Sequence, residues 1–138
     1  MHIINGQPGD LCPCSDEKTY CRKVDYGKTY LPRIVNANID AYLFFAVAQH
    51  NLTVVGLDGA NIEPIYTTYI LISPGQTMDV LLKADQVFGR YYMAGRHFSS
   101  DNAKVSEFDH VNVTAILEYN GNYIYPTSPL FPKPFLCT

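Results

Sequence analysis

Four histidines, His2, His50, His97 and His110, and four cysteines, Cys12, Cys14, Cys21 and Cys137, could offer this chain's nitrogen and thiolate ligands to a transition metal. Blue-copper electron transfer requires two histidines and one cysteine thiolate in a trigonal arrangement, usually with a weak axial methionine. No two histidines lie closer than 13 positions, so the chain holds no His-x-His pair. Cys12 and Cys14 are too close to bridge easily, Cys14 and Cys21 could close a small loop, and Cys137 could reach almost any partner. Hydrolytic chemistry fares no better. There is no G-x-S-x-G elbow, and Ser99-Ser100-Asp101 beside His97 reads as a solvated loop. Glu63, Asp58 and Asp79 read as surface or turn residues, with Asp79 shaping a strand. His50 reads as a hydrogen-bonded structural histidine, and the many tyrosines, among them Tyr66, Tyr69, Tyr91 and Tyr92, read as sheet and core packing. The expectation is that this chain carries no catalytic, cofactor-binding or metal-ligating residue of its own.

The elements that must carry these side chains are strands. Thr67 to Asp85 reads as a β-hairpin turned at Pro74-Gly75: proline presets φ for the turn, glycine accepts the positive φ that follows, and apolar residues flank both. After the turn Met78, Val80 and Leu82 alternate with Asp79 and Lys83, the period of a half-buried strand. Upstream, His2 to Asn5 predicts a short strand, Gly6 to Ser15 a loop, Thr19 to Val24 a strand and Asp25 to Lys28 a turn. Thr29 to Asn36 is a strand interrupted by Pro32, which donates no ladder hydrogen bond. Tyr42 to Gln49 is apolar on both faces, Leu52 to Asp58 follows, and Gly59-Ala60-Asn61 turns the chain into Ile62 to Ile72. Arg90 to Ala94 and Val111 to Tyr119 are strands separated by a polar loop over Arg96 to Ser106. Asn120-Gly121 predicts a two-residue hairpin turn.

The chain has 138 residues, 47% hydrophobic and 17% charged, with eleven tyrosines and nine each of glycine and proline. That length suits one domain with a sizeable core, and the composition favours strands and turns over long helices or disorder. Net charge is −3 and the longest basic run is Arg22-Lys23, which excludes a phosphate-tracking surface and hence nucleic acid. No apolar run approaches the ~20 residues that span a bilayer. The opening M-H-I-I-N-G lacks the pattern of a secretory signal. Two sequons, Asn51-Leu52-Thr53 and Asn112-Val113-Thr114, make Asn51 and Asn112 candidate N-glycosylation sites, each in a predicted strand that would limit access. Short strands at roughly 8–12 residue intervals predict an all-β Greek-key sandwich or flattened barrel over residues 1–125. Four of the nine prolines lie beyond position 125, so residues 126–138 read as an extended linker.

Four stretches in this order carry a resemblance: Ile4-Asn5-Gly6-Gln7-Pro8-Gly9-Asp10, Arg33-Ile34-Val35-Asn36-Ala37, His50-Asn51-Leu52-Thr53-Val54-Val55 and S-P-G-Q-T-x-D-V-L-L-K-A-D from Ser73. Together they resemble the second, middle cupredoxin-like (plastocyanin-like) domain of plant laccases, in the multicopper oxidase family. The resemblance spans roughly residues 3 to 120. It implies a cupredoxin-like fold inside a secreted, apoplastic glycoprotein that oxidises phenols such as monolignols, in lignin chemistry, and reduces dioxygen to water with four coppers. Copper there is held by the first and third domains, through His-x-His pairs and a late cysteine followed by a histidine. Here Cys137 is followed by Thr138 alone. The implied role is a spacer and phenol-pocket wall, with the copper-bearing domains and the phenolic substrate as partners and no copper bound by this chain. A metal-free cupredoxin-like interaction module that stands alone is the competing reading. A domain belonging to a three-domain enzyme should expose interfaces of order 1,000 Å², a little over half of them apolar, whereas a module of its own should be evenly polar.

Overall fold

The computed structural model describes residues 3–9, 19–98, 112–124 and 129–133. His2, His110, Cys12, Cys14, Cys137, the Ser99-Ser100-Asp101 stretch and Val111 lie outside the described residues. Ten strands run β1 (Cys21–Val24), β2 (Thr29–Tyr30), β3 (Arg33–Val35), β4 (Leu43–Val47), β5 (Leu52–Leu57), β6 (Ala60–Thr67), β7 (Ile70–Ile72), β8 (Thr77–Lys83), β9 (Arg90–His97) and β10 (Val113–Tyr119). They form two sheets. Sheet I has the order β1-β10-β9-β4-β7, and sheet II the order β2-β8-β5-β6 with β3 also paired to β8. β1 joins β10 in parallel, Cys21 opposite Ile116, and the other pairings are antiparallel. The all-β sandwich expected from the strand spacing is therefore present.

Alternation decides which side chains meet between the sheets. On β8, Met78, Val80 and Leu82 face inward, as the sequence period predicts, and on sheet I they meet Ile70, Ile72, Tyr91 and Leu117. Pro32 breaks one strand into two, β2 and β3, both held by β8; its carbonyl still accepts from Val80 N–H at 3.0 Å. A bulge between Val54 and Gly56 lets Gly56 pass close to Asp79.

Five local expectations are corrected. Thr67 to Asp85 is not a hairpin: β7 pairs with β4 in sheet I and β8 with β5 in sheet II, so the chain crosses the sandwich there. The turn chemistry itself is right, with Gln76 N–H donating to Ser73 O at 3.1 Å and Gly75 at φ +71°. The residues after the turn simply find a different neighbour from those before it. The turn placed at Gly59-Ala60-Asn61 sits one residue earlier, on Asp58 (φ +47°) and Gly59 (φ +83°), the positive pair that an Asp-Gly hairpin turn needs. Ile4 extends no strand; it pairs with Gln7 across a tight Asn5-Gly6 turn. Asn120-Gly121 makes no hairpin, because Asn120 N–H is drawn to Val24 O at 2.8 Å and its side-chain amide to Asp25, closing the end of β1 instead. β9 also continues through Arg96 and His97, which the sequence assigned to a loop.

Candidate functional site

The chain leaves sheet I at the end of β4, turns through Gln49 at φ +57°, and enters sheet II at Leu52, placing His50 at the junction. The imidazole is 3% exposed. Its Nδ1 lies 2.6 Å from the Ala48 carbonyl, which can only accept, so Nδ1 carries the proton. Nε2 then accepts from the Tyr119 hydroxyl at 2.7 Å, and that hydroxyl oxygen accepts from Gln86 N–H at 3.1 Å. Tyr91 stands edge-on to the imidazole, with ring centroids 4.9 Å apart, and donates its own hydroxyl to Val87 O at 2.6 Å. Burial lowers the His50 pKa against the opposing pull of the Ala48 carbonyl and Asp85. Burial likewise pushes Tyr119 up to about 12. The result is a neutral His–Tyr pair with no imidazole lone pair left over, a staple between the sheets, as read for His50 from the sequence.

The other described donors, Cys21 and His97, do not gather into a copper site. Cys21 is an exposed free thiol on the outer edge of sheet I, 3.8 Å from the Glu118 carboxylate. Its pKa is raised, first by partial desolvation and then by that carboxylate, which disfavours the thiolate a metal requires. His97, on β9, is already engaged by a neighbour. Among the described residues no three His, Cys, Asp or Glu side chains gather into a metal-holding group. The donor set in view does not fit a copper centre, and Glu63, Asp58 and Asp79 do not form an acid–base pair: Asp58 caps Thr77 N–H at 2.8 Å and Asp79 faces Arg33 at 3.5 Å.

The sequons separate. Asn51 is exposed in the connection just before β5 rather than within the strand. Asn112 is half-buried at the start of β10, with Oδ1 buried and unpartnered, and the threonine of its sequon, Thr114, is fully buried. Sequence reasoning passed over Asn36, a fully buried amide. Its Nδ2 donates to Ala41 O at 2.7 Å and Ile72 O at 3.1 Å, and its Oδ1 accepts from Asn38, tying the loop after β3 to the end of β7. A polar residue closing a strand is the only local signal that could have marked it.

Aromatic side chains, exposed or half-buried, collect at two places on the surface. On the outward face of sheet I, Phe44 stacks edge-on to Tyr69 and Phe98, at 5.7 and 5.4 Å, beside the exposed Leu71 and Tyr42. At the other end of β9, Phe88 meets Tyr26 and Tyr123, at 5.8 and 6.3 Å, beside Val87 (80% exposed). Phe88 and Phe98 flank β9 on either side, roughly 30 Å apart at the rise of an extended strand.

Two sheets closed over a His–Tyr staple, with strands crossing between them as in a Greek key, define a cupredoxin-like domain. The multicopper oxidase family profile matches residues 1–122. The chain is similar to Laccase-11 of Arabidopsis thaliana, 45% identical over 135 residues, 96% of this chain and 24% of that protein. It is also similar to putative laccase-9 of Oryza sativa subsp. japonica, 49% identical over 137 residues, 97% of this chain and 23% of that protein. Among solved structures it superposes on laccase from Botrytis aclada with TM-score 0.73 and 27% identity, covering 98% of this chain and 26% of that one. The chain belongs to the multicopper oxidase family. It spans about a quarter of the length of the curated relatives it matches.

Proposed function

We propose that this chain is the middle cupredoxin-like domain of a laccase-type multicopper oxidase, residues 1–125, followed by a proline-rich segment at 126–138 whose Leu130 and Phe131 pack back against β9 before it leads on as a linker. It acts as a spacer and pocket wall and binds no copper of its own. Copper, phenol oxidation, including that of monolignols in lignin chemistry, and dioxygen reduction belong to the intact enzyme, with the flanking copper-bearing domains as partners. The observation that carries this reading is the pair of aromatic patches at opposite ends of β9. Two separate apolar surfaces suit a domain held between two others, whereas a module of its own would be expected to present a more even polar surface. Secretion to the apoplast and glycosylation follow from the same reading, with the exposed Asn51 as the glycan site in preference to Asn112.

Expressed alone, the chain should carry copper far below stoichiometry and leave a phenol such as 2,6-dimethoxyphenol unoxidised. Stoichiometric copper, or turnover of the phenol, would overturn the proposal. The patches should also drive self-association of the isolated chain, relieved by Phe44→Ser with Phe88→Ser in a sedimentation experiment. A strictly monomeric isolated chain would favour the independent module.

A further inference from the structure

A cleft of about 950 Å³ opens between the sheets on the side where β1 edges sheet I and β2 and β3 edge sheet II. Val24, Leu82 and Leu117 form its buried floor, and Ile34, Phe45 and Met93 its half-buried walls. An apolar space of this size accommodates a whole small ligand. The charges among its described lining residues are all of one sign. Arg22 and Arg33 lie at the lining, and none of the lining residues described is acidic, although the chain as a whole carries a net −3. Arg22 shares the register of Leu117 and lies two positions from the inward-facing Val24, so it belongs to the core-side face of an edge strand. It makes no ion pair or hydrogen bond among the described residues. Arg33 is held 3.5 Å from Asp79, which occupies part of its guanidinium fork.

We propose that this cleft binds an elongated apolar monocarboxylate, with its hydrocarbon body between the sheets and its carboxylate on the Arg22 guanidinium, Arg33 adding positive field. A guanidinium at the rim of an apolar slot matches a carboxylate in both charge and planar geometry. Neither the patches at the ends of β9 nor the family's oxidative chemistry enters this inference.

Isothermal titration of the full chain tests it, with dodecanoate as the aliphatic probe, cinnamate as the aromatic one and dodecanol as the uncharged control. Both acids should bind more tightly than dodecanol, and the tighter acid identifies the source class. Arg22→Gln should weaken the acids about tenfold, equivalent to about 1.4 kcal/mol, and leave dodecanol unchanged. Met93→Trp, which fills the slot, should abolish binding of all three; Ile34→Trp serves the same purpose if circular dichroism shows the first variant unfolded. Phe88→Ser should change nothing, because that patch is remote. An inward charge on an edge strand can instead guard against strand pairing. Under that role Arg22→Gln promotes self-association and leaves the acids' affinity intact, which overturns the proposal. Absence of binding by either acid, or equal binding of dodecanol, overturns it too.

Discussion

Sheets I and II line the same core, yet behind them the molecule differs. On the outward face of sheet I, Ala46, Ala94 and Thr114 are 0% exposed, and Ile116 and Tyr92 are nearly so. On the outward face of sheet II, Thr53, Val55 and Leu81 are half-buried and Lys83 is open to water. Chain laid across sheet I accounts for the difference. Gly9, at φ +84°, runs so close over β10 that a Cβ there would collide with Thr114 Oγ1, and Phe131 packs its ring 5.7 Å from Tyr92. Leu130 extends this cover by pairing with β9, its carbonyl accepting from Tyr92 N–H at 2.8 Å. Small residues in the middle of sheet I make such close approach possible, and water needs no such accommodation on sheet II. The middle of sheet I thus behaves as an interior layer, and sheet II as a wall.

The largest expected effect tests that distinction directly. Ile116→Ala, on the outward face of sheet I, should cost about 2–4 kcal/mol, as a core truncation does. Leu81→Ala, on the outward face of sheet II, should cost about 1 kcal/mol or less. Urea unfolding of the two variants gives both numbers, and equal losses would mean that the outward face of sheet I is not closed.

The same contrast explains what could be read from the chain. β8 was legible because one face meets water: Met78, Val80 and Leu82 stand out against Asp79 and Lys83. β10, V-T-A-I-L-E-Y, is buried at nearly every position, so alternation alone does not say which face meets which neighbour. Turn chemistry was legible at Pro74-Gly75 and at Asp25 to Lys28, because a turn is decided by its own four residues. Where the chain goes after a turn is not. Ile72 and Thr77 join different sheets through partners dozens of positions away, and Asn120 is captured by Val24 and Asp25, contacts that no local pattern encodes. The buried site divides likewise. His50 was legible as a structural histidine from the lack of companion ligands, whereas its partner Tyr119, 69 positions on, was visible only as one more strand tyrosine.

A smaller effect probes the junction between the layers. Tyr119→Phe keeps the ring and removes the hydroxyl that serves both His50 and Gln86. Leaving a buried Nε2 unsatisfied should cost about 1–3 kcal/mol. The variant should also change the alkaline limb. Tyr119 rises from an ordinary 10.0 to about 12 in the fold, so as pH passes 10 the unfolded chain releases this proton and the folded one does not. Stability should fall across that window in the parent and fall less in Tyr119→Phe, with the raised Tyr91 and Cys21 contributing to what remains. An unchanged alkaline slope would place the hydroxyl in water and remove the staple.

The smallest effect lies on the acid side and isolates His50. Its pKa is lowered in the fold, so below the ordinary value of 6.5 the unfolded chain takes up a proton that the folded chain refuses. Stability is therefore complete above pH 6.5, declines as pH falls through that value, and levels off once the lowered folded value is passed. Carboxylates contribute elsewhere: Asp25, held down chiefly by its hydrogen bond from Asn120 and by Lys28, loses its contribution only as pH falls below its ordinary 3.8. Among the described buried polar residues, Asn36, His50 and Thr114, the histidine alone titrates in this range. His50→Gln should flatten the stability curve just below pH 6.5 while leaving the carboxylate limb at lower pH in place. If the decline persists in that variant, the titrating group lies elsewhere, and the junction of the two layers is not where this protein feels acid.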